Sequence, residues 1–280
     1  MKTFVLRFDI DSIFDLTEGV PAVSAILKRT QSKAVFFVNM GRQFSLWDGL
    51  IKSPFLGISR TLHPQKPSLG LLQKFGFGRL AYMSMINPVL GNSDGRIKIL
   101  KELADEGHEI GLHGGANHTQ WLRNIDKMNS DQIEAFIAPA LNRFVELFGK
   151  PVGFASPGFM SNPLVEFWLS QNDFKYSVDK CGAECSLQID NSPASFPVTI
   201  SGPQGVPYIE YCDHKRLDDS TIISDFFSQI ESKTYACMYG HPFYEGKIRG
   251  DILEKLIESA YDAGFTFLTP TEILKPRNVL

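Results

Sequence analysis

Thr3-Phe4-Val5-Leu6-Arg7-Phe8-Asp9-Ile10-Asp11-Ser12 is an apolar run that stops on two carboxylates one residue apart. Such a run reads as a buried strand with its acids at the carboxyl end. In a barrel or an open α/β sheet, chemistry is done at that end, because a rigid scaffold positions the loops there. Alone, an Asp-x-Asp pair is a weak signal, since such pairs also cap turns or hold sugar-nucleotide metals. Its weight depends on what the other strands bring to the same end.

Immediately downstream, Glu18-Gly19-Val20-Pro21 leads into residues 22–28, where Val23, Ile26 and Leu27 recur at helical spacing. A second apolar strand follows at 34–38. That is a βαβ unit, which requires parallel strands and a right-handed crossover. Alternation resumes later with helices expected at 95–106, 130–148, 162–170, 220–232 and 250–263, and strands at 108–113, 152–155, 175–178, 197–200, 236–240 and 265–268. Ser130 is the expected N-cap of the longest helix, which Gly149 closes. Repeated strand and helix units without a nucleotide-binding glycine fingerprint favour a barrel over a Rossmann sheet. We expect one domain over 1–280.

Between about residues 50 and 92 the alternation breaks. No acid occurs between Asp48 and Asp94, whereas Lys52, Arg60, Lys66, Lys74 and Arg79 are interleaved with Phe55, Leu56, Leu62, Leu71, Leu72, Phe75, Phe77 and Leu80. Two readings stand side by side: an irregular insertion packed on the barrel, or an amphipathic cationic surface lying in the headgroup layer of an anionic membrane. No run reaches the length of a transmembrane helix, so the second would be a peripheral membrane contact.

The 280 residues are 43% hydrophobic, enough for a substantial core, and the net charge of -3 makes nucleic acid a poor partner. Met1-Lys2-Thr3 runs straight into the first strand and leaves no room for a secretory signal, so a cytoplasmic protein is expected, with the inner face of the membrane as the place of any contact. Cys181, Cys185, Cys212 and Cys237 are then expected as reduced thiols rather than a disulfide or zinc framework.

Asp9 and Asp11 on the first strand, His113 and His118 after the 108–113 strand, Asp179 on another and His241 after the 236–240 strand converge on one end of the scaffold. His113-Gly114-Gly115-Ala116-Asn117-His118 sends two imidazoles from one strand end along a glycine-rich loop, and zinc is commonly held by three His or carboxylate ligands plus a water. His241, presented by a buried strand, has a side chain suited to proton donation near neutral pH.

With these residues the chain resembles the polysaccharide deacetylase (NodB-homology) family, most closely the branch that deformylates formamido-arabinose carried on undecaprenyl phosphate. The likeness runs through Leu6 to Asp11, Glu18-Gly19-Val20-Pro21, Gly111-Leu112-His113, Tyr176-Ser177-Val178-Asp179, Pro197-Val198-Thr199 and His241 with Glu245-Gly246. It implies an α/β fold, a distorted (β/α) barrel of about seven strands carrying the 50–92 insertion. It further implies a divalent metal, zinc foremost, with Asp11, His113 and His118 as ligands, Asp9 as catalytic base and His241 as general acid. Asn117, Ser156, Gly158, Asp179 and Glu245 are the expected substrate contacts. The implied activity is removal of an N-formyl or N-acetyl group from an amino sugar, with a polyprenyl-phosphate-linked sugar as the expected partner. A metal-independent amidase acting on a small amide or ureide, and a silent carbohydrate-binding protein, are the alternatives.

Two departures stand out. Family members usually space the two histidines four apart, whereas His113 and His118 are five apart, which leaves Asn117 open as a ligand. Many relatives also place an arginine in the motif matching Ala155-Ser156-Pro157-Gly158, and none is there. Strand alternation alone does not assign Arg7 to that part.

Overall fold

The computed structural model describes residues 1–43, 68–85, 88–90 and 93–275. Its centre is β1 (Lys2–Ile10), which pairs along one edge with β7 (Tyr235–Gly240) and along the other with β2 (Val35–Val38). β8 (Phe265–Phe267) sits beside the first residues of β1 on the β2 edge. With β3 (Glu109–His113), β4 (Gly153–Ala155), β5 (Tyr176–Ser177) and β6 (Ala194–Ser195), the order is β6-β5-β4-β3-β2-β1-β7, and every pairing is parallel. Seven strands thus curl along the path, as expected.

The curl is completed without a regular ladder. Residues 197–200, expected as a strand, make isolated bridges, Cys181 to Val198 and Ile200 to Met238, while the ladder partner of β5 is Ala194–Ser195. Pro197 has no N–H to donate, so a ladder cannot run through it. Thr199 and Ile200 both donate backbone N–H to the Cys237 carbonyl, which brings the chain after β6 to β7.

Both faces of β1 are covered, which explains its unbroken apolar run. Phe4, Leu6, Phe8 and Ile10 pack outward against the helices, while Val5 packs into the lumen with Val35, Phe37, Ala155, Tyr176, Val178 and Cys237. Arg7 and Asp9 share the face of Val5 and therefore point inward. The helical layer contains α1 (Val20–Thr30), α2 (Leu71–Met85), α3 (Asp94–Asp105), α4 (His118–Asn124), α5 (Ser130–Phe148), α6 (Pro163–Gln171), α7 (Tyr208–His214), α8 (Asp219–Ile230), α9 (Gly250–Asp262) and α10 (Pro270–Leu274). α5 is capped by Asn129, not Ser130, through a reciprocal pair of bonds with Gln132.

Most of the 50–92 insertion, with Lys52, Arg60 and Lys66, lies outside the described residues. Its described helix, α2, is interrupted at Gly76, whose φ of 72° is left-handed. Phe75, Leu80 and Met83 are buried against Ile13 and Phe243, and the Phe75 and Phe243 rings stack at 5.2 Å. Leu72, Phe77 and Met85 are exposed. The expectation of uncompensated cations fails at both described positions: Lys74 pairs with Glu210 and Arg79 with Glu18. The acids come from remote parts of the sequence, which a local charge count does not see.

Candidate active site

Four elements end at one place. Asp9 lies near the end of β1 and Asp11 just beyond it; His113 is the last residue of β3, His118 the first of α4, and His241 follows β7. His113 Nε2 lies 3.0 Å from Asp11 Oδ1, His118 Nε2 3.2 Å from Asp11 Oδ2, and His241 Nε2 3.4 Å from the same oxygen. Asp9 Oδ2 stands farther off, 4.0 Å from His113 Nε2. Asp11, His113 and His118 together form a cluster able to hold a metal ion, as expected.

The donor set fits a divalent cation. His113 Nδ1 is 2.8 Å from the Ala155 carbonyl, which can only accept, so this nitrogen carries the hydrogen and Nε2 is left to face Asp11. Asp11 Oδ1 and His118 Nε2 are buried without a well-formed hydrogen bond, although they lie among one another. Burial works against ionisation of Asp11, but His118 and His113 hold its carboxyl well below the usual range. Burial also pulls the His113 imidazole down, and the Asp9 and Asp11 carboxylates more than reverse this. Proton and cation therefore compete for the same nitrogen.

Across the five-residue spacing, His118 stands against Asp11 in the cluster. Asn117, expected as a substrate contact and open as a ligand, caps α4, its side-chain oxygen accepting from the Gln120 N–H. Ser156 gives its N–H to Asp179 Oδ1 at 2.6 Å, which removes that donor from the site. Asp179 lines two neighbouring cavities and not the one over Asp9 and Asp11; burial pushes its carboxyl up to about 6 against the opposing pull of Ser156 and Arg7. Glu245 is buried, and its Oε2 accepts the His241 N–H at 2.7 Å. Of the five expected substrate contacts, Gly158 alone lines the cavity over Asp9 and Asp11.

Several groups were not assigned to the site from the sequence. Arg7 forks onto Asp9, Nε to Oδ1 and Nη2 to Oδ2, each at 2.7 Å. Asp15 accepts from Ser12 through Oδ2 and from the Phe243 N–H through Oδ1, tying the end of β1 to the turn that carries His241. That approach needs Gly19, where a Cβ would lie 2.2 Å from Phe243 N. Burial and Lys74 lower His241, but Asp11 and Asp15 outweigh them and push it up to about 9.

Above this floor lies a cavity of about 770 Å³, walled by Leu71, Leu122, Phe159, Met160, Val206 and Pro207 and containing the buried Lys74–Glu210 pair. A larger one, about 900 Å³, opens near Thr3 and Tyr235 at the opposite end of the strands.

Comparisons with known proteins bear on the family and the fold. The chain is 24% identical over 98% of its length to the probable 4-deoxy-4-formamido-L-arabinose-phosphoundecaprenol deformylase ArnD of Shewanella sediminis (strain HAW-EB3), 86% of which is covered. It superposes on a Mycobacterium smegmatis protein assigned to the polysaccharide deacetylases, with TM-score 0.60 and 16% identity over 98% of this chain and 89% of that one. A family 4 acetyl xylan esterase from Clostridium thermocellum, solved with a cobalt ion, matches at TM-score 0.52 and 15% identity over 97% and 90% of the two chains. Residues 1–176 match the polysaccharide deacetylase family, and the chain belongs to it.

Proposed function

We propose that the protein is a metal-dependent hydrolase that removes an N-formyl or N-acetyl group from a lipid-linked amino sugar. The observation that carries this reading is the Asp11–His113–His118 cluster flanked by a carboxylate and an imidazole, Asp9 and His241, that are suited to acid-base work. Asp11, His113 and His118 would hold the metal, with Zn²⁺ as the preferred ion for this nitrogen and oxygen set. When bound, such an ion polarises an acyl oxygen and lowers the pKa of a water. Asp9, in the lumen, would accept the proton of the attacking water. His241, whose imidazole Asp11 and Asp15 push up to about 9, would donate to the departing nitrogen. The cluster able to hold a metal favours this reading over a metal-free amidase or a silent sugar-binding protein.

The apolar cavity wall favours a substrate with an apolar substituent over a bare polysaccharide, and the ArnD relative is named for a phosphoundecaprenol-linked sugar. The exposed Leu72, Phe77 and Met85 on α2 would meet the membrane that carries such a lipid. No helix among the described residues is long and apolar enough to cross it.

The test is hydrolysis by protein purified without chelator, with metal content measured alongside. Lipid-linked formamido- and acetamido-sugars in vesicles would be compared with soluble N-acyl sugars. We expect turnover that chelation abolishes and Zn²⁺ restores, faster on the vesicle substrate, and slowed there alone by Leu72→Ser/Phe77→Ser. Full activity in metal-free protein would overturn the metal reading. A preference for soluble sugars would overturn the lipid one.

A further inference from the structure

Asp9 and Asp11 are two residues apart and both stand near His113, yet Asp11 alone reaches it closely, at 3.0 Å against 4.0 Å. Nothing in the residue types separates them, since either carboxylate could ligate a cation. The difference lies in Arg7.

Its guanidinium uses three donors: Nε and Nη2 on the two oxygens of Asp9 and Nη1 on the Val178 carbonyl at 2.5 Å. The Phe37, Phe159 and Tyr239 rings stand 4.9 to 5.4 Å from its central carbon, so it has little room to move. The side chain is 1% exposed. Replacing a buried ion pair with apolar residues of similar volume often leaves stability unchanged or improved, so stability does not account for the pair. A planar fork gripping both oxygens fixes the direction of a carboxylate as well as its charge.

We propose that Arg7 is a positioning residue that keeps Asp9 out of the metal coordination sphere, so that one of two adjacent carboxylates serves as ligand and the other stays free for proton transfer. The proton-transfer half rests on the hydrolase reading; the sorting of carboxylates does not. Without the fork, Asp9 turns toward His113 and Asp11 and adds a fourth protein ligand.

The consequence is unusual for the loss of a buried charge: metal affinity rises while turnover falls. Zn²⁺ affinity would be measured by competition with a chromophoric chelator, without substrate, on folded wild type, Arg7→Met and Arg7→Met/Asp9→Asn. We expect Arg7→Met to bind Zn²⁺ about tenfold more tightly, because a charged ligand is added, and the double variant to lose that gain. In kinetics, kcat falls with KM little changed. Unchanged or weaker affinity in folded Arg7→Met, or a gain that survives Asp9→Asn, overturns the proposal. Should Arg7→Met not fold, Arg7→Lys decides, since it keeps the charge but not the fork: tighter binding with lowered kcat supports the proposal, and wild-type values of both, or weaker binding, overturn it. If wild type itself fails to hydrolyse any N-acyl sugar, the hydrolase reading falls while the affinity comparison still judges Arg7.

Discussion

The floor of the catalytic cavity and its α2 wall are both assembled from residues far apart in sequence, but different forces hold them. On the floor, Asp9, Asp11, His113 and His241 sit at or beside the ends of the parallel strands β1, β3 and β7, with β2 between the first two, so the sheet's register fixes their spacing. The wall has no ladder. α2 is fastened by the buried Lys74–Glu210 pair, the Arg79–Glu18 pair and the stack of Phe75 on Phe243, with a left-handed break at Gly76. A backbone-held floor can carry chemistry that tolerates little displacement, whereas a side-chain-held wall can shape what enters.

If this contrast is right, floor substitutions damage rate, and substitutions of the buried contacts that fasten the wall damage stability. The largest effects fall on the floor. Asp9→Asn and His241→Ala should each lower kcat about 10²- to 10⁴-fold with metal content unchanged. His113→Ala should lose metal and turnover together. An Asp9→Asn variant that sheds its metal yet recovers full rate when resupplied would exchange the parts of Asp9 and Asp11.

The wall comes next. Removing one member of a buried pair strands the other charge, so Lys74→Met should cost about 3–5 kcal/mol in urea unfolding. Lys74→Met/Glu210→Leu, which removes both charges, should recover most of that. A large loss of kcat in Lys74→Met at unchanged stability would erase the distinction between the regions and make Lys74 part of the chemistry.

The same contrast explains what was legible in the sequence. Asp11, His113, His118 and His241 could be picked out because a strand end is visible as an apolar run that stops, and a parallel sheet gathers such ends on one side. For Asn117 and Glu245 the neighbourhood was legible and the local bonds were not: one accepts a bond that caps α4, the other supports the His241 turn. Arg7 could be placed on the face of Asp9 by alternation, but its pairing depends on rings from β2, β7 and the turn after β4 that leave it no other place. Lys74 and Arg79 were counted as free cations because their acids, Glu210 and Glu18, lie outside the insertion.

Asp179 belongs to neither floor nor wall, and it gives the smallest and sharpest test of where the floor stops. Burial raises its carboxyl to about 6 from the ordinary 3.8. The folded state therefore holds this proton more tightly than the unfolded chain does. Stability from this group is complete below about pH 4 and declines as pH rises toward and through 6. Asn at this position keeps an oxygen for the Ser156 N–H and removes the titration. Relative to Asp179→Asn, wild type should lose about 1 kcal/mol more stability between pH 5 and pH 7, measured by urea unfolding at both values. The raised Glu245, near 7, titrates in both proteins and cancels in the difference. Because Asp179 lies outside the cavity over Asp9 and Asp11, KM should stay within about threefold of wild type, the scale of a change that removes no substrate contact. A tenfold rise in KM with no change in the pH dependence of stability would return Asp179 to the substrate and extend the floor one strand beyond β4.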